Sequence, residues 1–224
     1  MLILHILRSF LIGVLFTFLS INISHTIILS MKQVYHTIKF MLKKPEIFYL
    51  IVLNIIFSTT WIGLAWGRQF IWLDLSIIFL FSLIAAVDQL TDRIPILFLL
   101  LGAILGVTIG CLRDQLNFTI LGGLSNSILS ILIYFTGQIY QKRVLRWQYA
   151  SHVFGFGDVY ACGSLGFIFG SPLGNVAFFL TLLLAIFGAG IQSKIQGTTF
   201  LKHRVKLGLY FYLATLLITM AKML

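Results

Sequence analysis

Long apolar runs alternate along the whole chain with short polar, mostly basic stretches. A helix crosses lipid with about 20 apolar residues, in a range of about 17–25. Runs of this kind predict eight spanning helices, at about 9–30, 47–66, 70–87, 95–111, 117–140, 158–170, 174–191 and 206–222. The sixth is short. That suggests a tilted helix, or one whose N-terminal part lies in a protein-lined cavity instead of lipid. The expected fold is therefore all-α, a polytopic transmembrane bundle of about eight spans. Residues 1–224 form a single integral membrane domain, with N-terminal spans over about 1–69 and a core over about 70–222. Pro95 is expected in the first helical turn of its span, where the missing N–H costs nothing.

Composition agrees with lipid as the solvent. Hydrophobic residues make up 59% of the chain and charged residues 10%, against about 25% charged in soluble domains. The mean hydropathy is +1.03. The formal net charge of +10 would ordinarily raise nucleic acid as a partner. Here the positive residues sit in loops between apolar runs, so no nucleic-acid partner is expected. Their distribution sets orientation instead. With loops 31–46, 88–94, 141–157 and 192–205 on the cytoplasmic side, twelve of the sixteen Lys and Arg residues fall inside, counting Lys206. Arg8, Arg68, Arg113 and Lys222 fall outside, as do both termini. The run from Phe10 to Leu29 reads as a retained first span. It is long for a signal-peptide core, and no clear small-x-small cleavage site follows it.

Smaller features carry less chemistry. Cys111 and Cys162 form no CxxC pair and have no His at ligand spacing, so neither a zinc site nor a disulfide is implied. Gly102, Gly106 and Gly110, and Gly163, Gly166 and Gly170, read as places where helix backbones approach closely in lipid. Trp61, Trp66 and Trp72 read as interface anchors. Lys142, Arg143 and Arg146 read as partners of anionic headgroups. His152 reads as a solvated loop residue.

The six acids are Glu46, Asp74, Asp88, Asp92, Asp114 and Asp158. An acid at the edge of a span is expensive and marks a functional site. Glu46, Asp74 and Asp114 lie in loops or at span ends, where a solvated role suffices. Asp88 ends the third span and Asp158 opens the sixth, so both fall at the cytoplasmic ends of their helices. Two aspartates at one depth can hydrolyse a peptide bond without a metal or a nucleophile. The ionised one takes a proton from water, and the protonated one polarises the carbonyl. Helix dipoles suggest Asp158 as base, at a helix N-terminus, and Asp88 as acid, at a C-terminus. Gly155 and Gly157 would permit positive φ and let a substrate backbone pass close to Asp158. The bland alternative for this segment is an ordinary loop with an aspartate at a helix N-cap.

Two motifs taken together carry more weight. Asp88 stands seven residues before the proline of Ile94-Pro95, and Gly155-Phe156-Gly157-Asp158-Val159 follows some 70 residues later. This pairing resembles the type IV prepilin peptidases, membrane aspartic proteases of the GxGD type. The resemblance covers residues 70–220 at the level of spans and is specific at the two motifs. It implies Asp88 and Asp158 as catalytic residues. It also implies a substrate site around Gly155, Gly157 and Pro95. The partners would be prepilin or pseudopilin precursors, which lose short basic leader peptides at the cytoplasmic face of the cell membrane. Asp92 competes with Asp88 but stands only three residues before Pro95.

The chain departs from the family in three places. The loop 31–46 is short, basic and free of cysteine, where many members carry a zinc-binding domain. No metal or cofactor is expected, and N-methylation does not follow for this chain. Tyr160 stands where a lysine is often found, and Lys206-Leu207-Gly208-Leu209 stands where the family carries Pro-Phe-Gly-Pro. The expectation is a compact, divergent member of the kind that serves DNA-uptake pseudopili in Gram-positive bacteria. An inactive relative and an ion-coupled carrier remain as alternatives. A carrier would show internal repeats and mid-membrane acids. A presenilin-like protease fits less well, for want of a Pro-Ala-Leu element.

Overall fold

The computed structural model describes residues 71–91, 94–143, 155–196 and 205–222, together with Val52 and Ile56. The expected spans at 9–30 and 47–66 lie outside the described residues, apart from those two helical positions. So do Glu46, Trp61, Trp66, Asp92, Arg146 and His152. Six helices follow one another in the described part. They are α1 (Ile71–Thr91), α2 (Leu97–Leu112), α3 (Leu116–Arg143), α4 (Phe156–Phe169), α5 (Leu173–Gln196) and α6 (Leu207–Ala221). The fold is all-α. Segments of α1, α3 and α5 are long and apolar enough to cross a membrane, and α2, α4 and α6 are shorter apolar helices.

Each of these helices matches one expected span to within a few residues. The largest differences are at the ends of α1 and α5. The helix of α1 continues through Asp88, Gln89 and Thr91, polar residues that the apolar pattern placed beyond it. Pro95 lies just ahead of α2 and not in its first turn. Ile96 is the N-cap, and the Pro95 carbonyl accepts the Phe98 N–H at 3.1 Å. Proline bars the preceding residue from the helical region, and here the chain settles into the helix only after it.

Successive helices run in alternate directions. At one end, the α2–α3 turn and the α4–α5 turn meet, where the Ser171 N–H donates to the Phe118 carbonyl. Arg113 and Asp74 pair at the same end at 3.5 Å, and Lys222 lies over the Phe169 ring. Asp114 takes a positive φ of 53° in the exposed α2–α3 turn, which Asp tolerates better than most residues. Both Asp74 and Asp114 are thus structural residues remote from the other end.

The short helix α4 is the hub, packing on α2, α3 and α5 and touching α6. Its 14 residues span about 21 Å at 1.5 Å per residue, less than a bilayer core of about 30 Å. The surrounding helices resolve that shortfall, because Ala161 to Gly166 are all buried. Small residues make the packing close. A Cβ at Gly106 would strike the backbone of Phe167, and one at Gly166 would strike the carbonyl of Gly122. On α3 Asn126 and Ser130 face inward and are fully buried. Leu121, Leu124, Ile128, Leu132, Phe135 and Ile139, at helical spacing, are exposed. This inside-out pattern suits a helix whose outer face meets lipid tails.

Asn126 ties three helices together. Its side-chain amide donates to the carbonyl of Gly174 at 3.0 Å and to that of Cys162 at 3.4 Å. Hydrogen bonds between helices in lipid average about 0.6 kcal/mol and reach about 1.7. Asn126→Ala is therefore expected to cost about 1 kcal/mol, seen as a lower thermal unfolding midpoint in detergent. An unchanged midpoint would show that these bonds contribute nothing.

Candidate active site

Asp88 lies in the last turn of α1 and is only 6% exposed. Its Oδ2 accepts the backbone N–H of Gly208 at 2.8 Å. Gly208 is the second residue of α6, and the N-cap Lys206 makes no side-chain cap bond of its own. The first N–H groups of a helix have no partner within it, so Asp88 supplies one from another helix. This contact needs glycine. A Cβ at Gly208 would lie 2.7 Å from the Asp88 Cβ and 3.1 Å from the Ala85 Cα. One step along the chain, the Lys206 ammonium donates to the Gln89 carbonyl at 2.9 Å.

Asp158 lies in the first turn of α4, at the third helical position behind the N-cap Gly155. Two bonds close the turn. The Gly155 N–H donates to Asp158 Oδ2 at 2.7 Å, and the Asp158 N–H donates to the Gly155 carbonyl at 3.1 Å. The first bond is one half of a capping box, and the Gly155 backbone carbonyl stands in for the side-chain acceptor that glycine lacks. The acid is only partly buried.

The two motifs meet through Gly157. A Cβ there would lie 3.0 Å from the Cβ, N and O of Ile94. The start of α4 is thus seated against the Ile94-Pro95 segment that opens α2. The Ser164 hydroxyl, donating to the Phe98 carbonyl at 3.0 Å, holds the same two helices one layer deeper. Asp88, Ile94, Pro95, Gly155, Gly157 and Asp158 therefore occupy one end of the bundle, opposite the Asp74–Arg113 pair. Lys142 and Arg143 close α3 at that end, exposed and at a helix C-terminus where cations are favoured.

Two expectations about this site change. Gly155 has φ of −86°, an extended conformation open to any residue, and Gly157 is helical. The glycines are not there for positive φ, and the space that Gly157 leaves is taken by Ile94 of the same chain. The dipole contrast between the two acids also disappears. Asp88 ends its own helix, but its carboxylate meets the positive end of α6, as Asp158 meets that of α4.

The apolar pattern gave no sign of two further features. Gly208 and Lys206 stand 120 and 118 residues beyond Asp88, and only the resemblance singled out their segment. An aromatic group flanks Asp158. Tyr134 of α3 meets Phe156 edge-on at 5.3 Å, and Phe156 meets Tyr160 at 5.2 Å. Phe156, between the two glycines, is half exposed. Cys162, one turn beyond Asp158, is buried as a free thiol. Among the described residues, no cluster of three or more His, Cys, Asp and Glu side chains is placed to hold a metal ion. No protein-family model matches the chain, and searches for similar curated proteins and similar solved structures give no match.

Proposed function

We propose that this protein is a membrane-embedded aspartic endopeptidase. It removes basic leader peptides from prepilin or pseudopilin precursors at the cytoplasmic face, as a compact and divergent relative of the type IV prepilin peptidases. The observation that carries this reading is the seating of Gly157 on Ile94. It brings two motifs some 60 residues apart to one end of the bundle, the end that also holds Asp88. The proposal includes eight spans, with the motif end facing the cytoplasm and both termini outside. Lys142, Arg143, Lys194 and Lys206 at the motif end support that orientation.

In the proposed reaction Asp88 and Asp158 share one proton. The ionised carboxylate deprotonates a water, which attacks the scissile carbonyl. The protonated carboxyl donates to the carbonyl oxygen as it gains charge, and the amine leaves with a proton returned by the pair. The exposed face of Phe156 offers an apolar surface to the extended peptide beside Asp158.

Co-expression of the chain with pilin-like precursors from the same genome tests the reading, with leader removal followed by gel mobility. Cleavage that depends on the chain supports it. Failure on every precursor would favour an ion-coupled carrier or an inactive relative.

A further inference from the structure

We propose that Lys206 is the positioning residue for Asp88, acting as a latch between the start of α6 and the end of α1. The inference rests on the peptidase reading only for its catalytic consequence. The two helix ends exchange what each lacks. The last turn of α1 contains no basic residue, yet the C-terminal carbonyls of a helix favour a cation. Lys206 reaches across from α6 and donates to the Gln89 carbonyl at 2.9 Å. The first turn of α6 contains no acid and has no side-chain cap, yet its N–H groups favour an anion. Asp88 answers from α1, accepting the Gly208 N–H at 2.8 Å. The cation and the anion stand in adjacent positions of two antiparallel contacts, so neither helix end can swing away without breaking both bonds.

Lysine suits this position for a physical reason. The N-cap backbone of Lys206 is extended, with φ −81° and ψ 106°. Its long stem can therefore run back over α1 while the main chain turns into α6. Hydrogen bonds that involve a charged donor are among the stronger ones. Besides Lys206, the ionisable side chains towards this end of the described helices include Asp158, Tyr160 and Cys162 on α4, Lys194 on α5, Lys142 and Arg143 on α3, and Tyr210 and Tyr212 on α6 itself. The ionisable residue of α2, Cys111, lies at the far end. Asp92 and Arg93 follow α1 in the chain and lie outside the described residues.

Hydrogen exchange on the full chain in lipid nanodiscs tests the latch without any substrate. Amides in the first turn of a helix ordinarily exchange fast, because they lack intrahelical partners. The Gly208 amide is expected to be protected in the wild type, because Asp88 accepts from it. In Lys206→Met it is expected to exchange about tenfold faster or more, with residues 211–219 of α6 unchanged as the sign of an intact helix. Lys206→Arg keeps a donor and a charge and is expected to restore most of the protection. In the cleavage assay Lys206→Met is expected to lose about tenfold in kcat with little change in KM, and Lys206→Arg to recover it. Unchanged Gly208 exchange in Lys206→Met overturns the latch, whatever the cleavage result. Faster exchange in a chain that cuts no precursor keeps the latch and discards the peptidase.

Discussion

Asp88→Asn and Asp158→Asn are each expected to abolish leader cleavage while the protein reaches the membrane at its normal level. The size of the loss follows from the chemistry assigned to the pair. A positioned acid or base contributes about 10² to 10⁴ in rate, and here each aspartate is asked to serve as both within one turnover. Asparagine keeps the shape and an acceptor oxygen. It can still receive the Gly208 N–H at position 88 and the Gly155 N–H at position 158. The helix ends should stay in place, and what is lost is the ability to carry a proton. Asp74→Asn and Asp114→Asn are the matched controls. Asp74 pairs with Arg113 at the opposite end and Asp114 sits in an exposed turn there, so both should cut at the wild-type rate. The assay compares processed and unprocessed precursor at equal membrane levels of each variant. Cleavage that survives in both Asp88→Asn and Asp158→Asn removes the chemistry from these residues. Cleavage lost equally in Asp74→Asn would mean that the loss reports damage to the bundle.

The apolar runs were sufficient to place the six described helices, because an apolar run of this length has few ways to satisfy its backbone in lipid. Helix ends are less legible because they depend on partners elsewhere in the chain. Asp88, Gln89 and Thr91 look like the start of a loop, yet they are helical, and Asp88 is buried against Gly208. No local pattern reveals an acceptor for a helix 120 residues away. The same limit applies to Gly157. Its sequence context suggests room for a substrate, but the room is filled by Ile94. Asn126 is an amide in the middle of an apolar run, and only the three-helix contact shows why it is there. By contrast, the glycine rows of α2 and α4 were legible as packing surfaces, since a four-residue spacing in lipid has a simple physical meaning.

Those glycines lead to the largest expected effect on the fold. At Gly166 a methyl group would overlap the Gly122 carbonyl and lie 2.7 Å from the Gly122 C and 2.9 Å from the Asn126 Cβ. The first two are backbone atoms and cannot rotate away, so α3 and α4 would have to separate. Forcing extra methylenes into a packed interior costs about 1–3 kcal/mol, sometimes more. Gly166→Ala is expected at or above the top of that range, and Gly166→Leu is expected to leave little folded protein. Gly137 and Gly190 are the internal comparison, because a Cβ at either meets nothing within 4 Å. Both lie inside helices, where alanine is favoured over glycine by about 0.5–1 kcal/mol. Gly137→Ala and Gly190→Ala should therefore unfold at or above the wild-type midpoint in detergent, while Gly166→Ala falls well below it. Equal midpoints for the three variants would mean that α3 and α4 are not in backbone contact. The comparison also bears on the site. Asp158 is held by the first turn of α4, and α4 is held chiefly by its neighbours' backbones. A methyl group at Gly166, two helical turns from Asp158, should thus reduce cleavage through the position of the helix even in the fraction of protein that still folds.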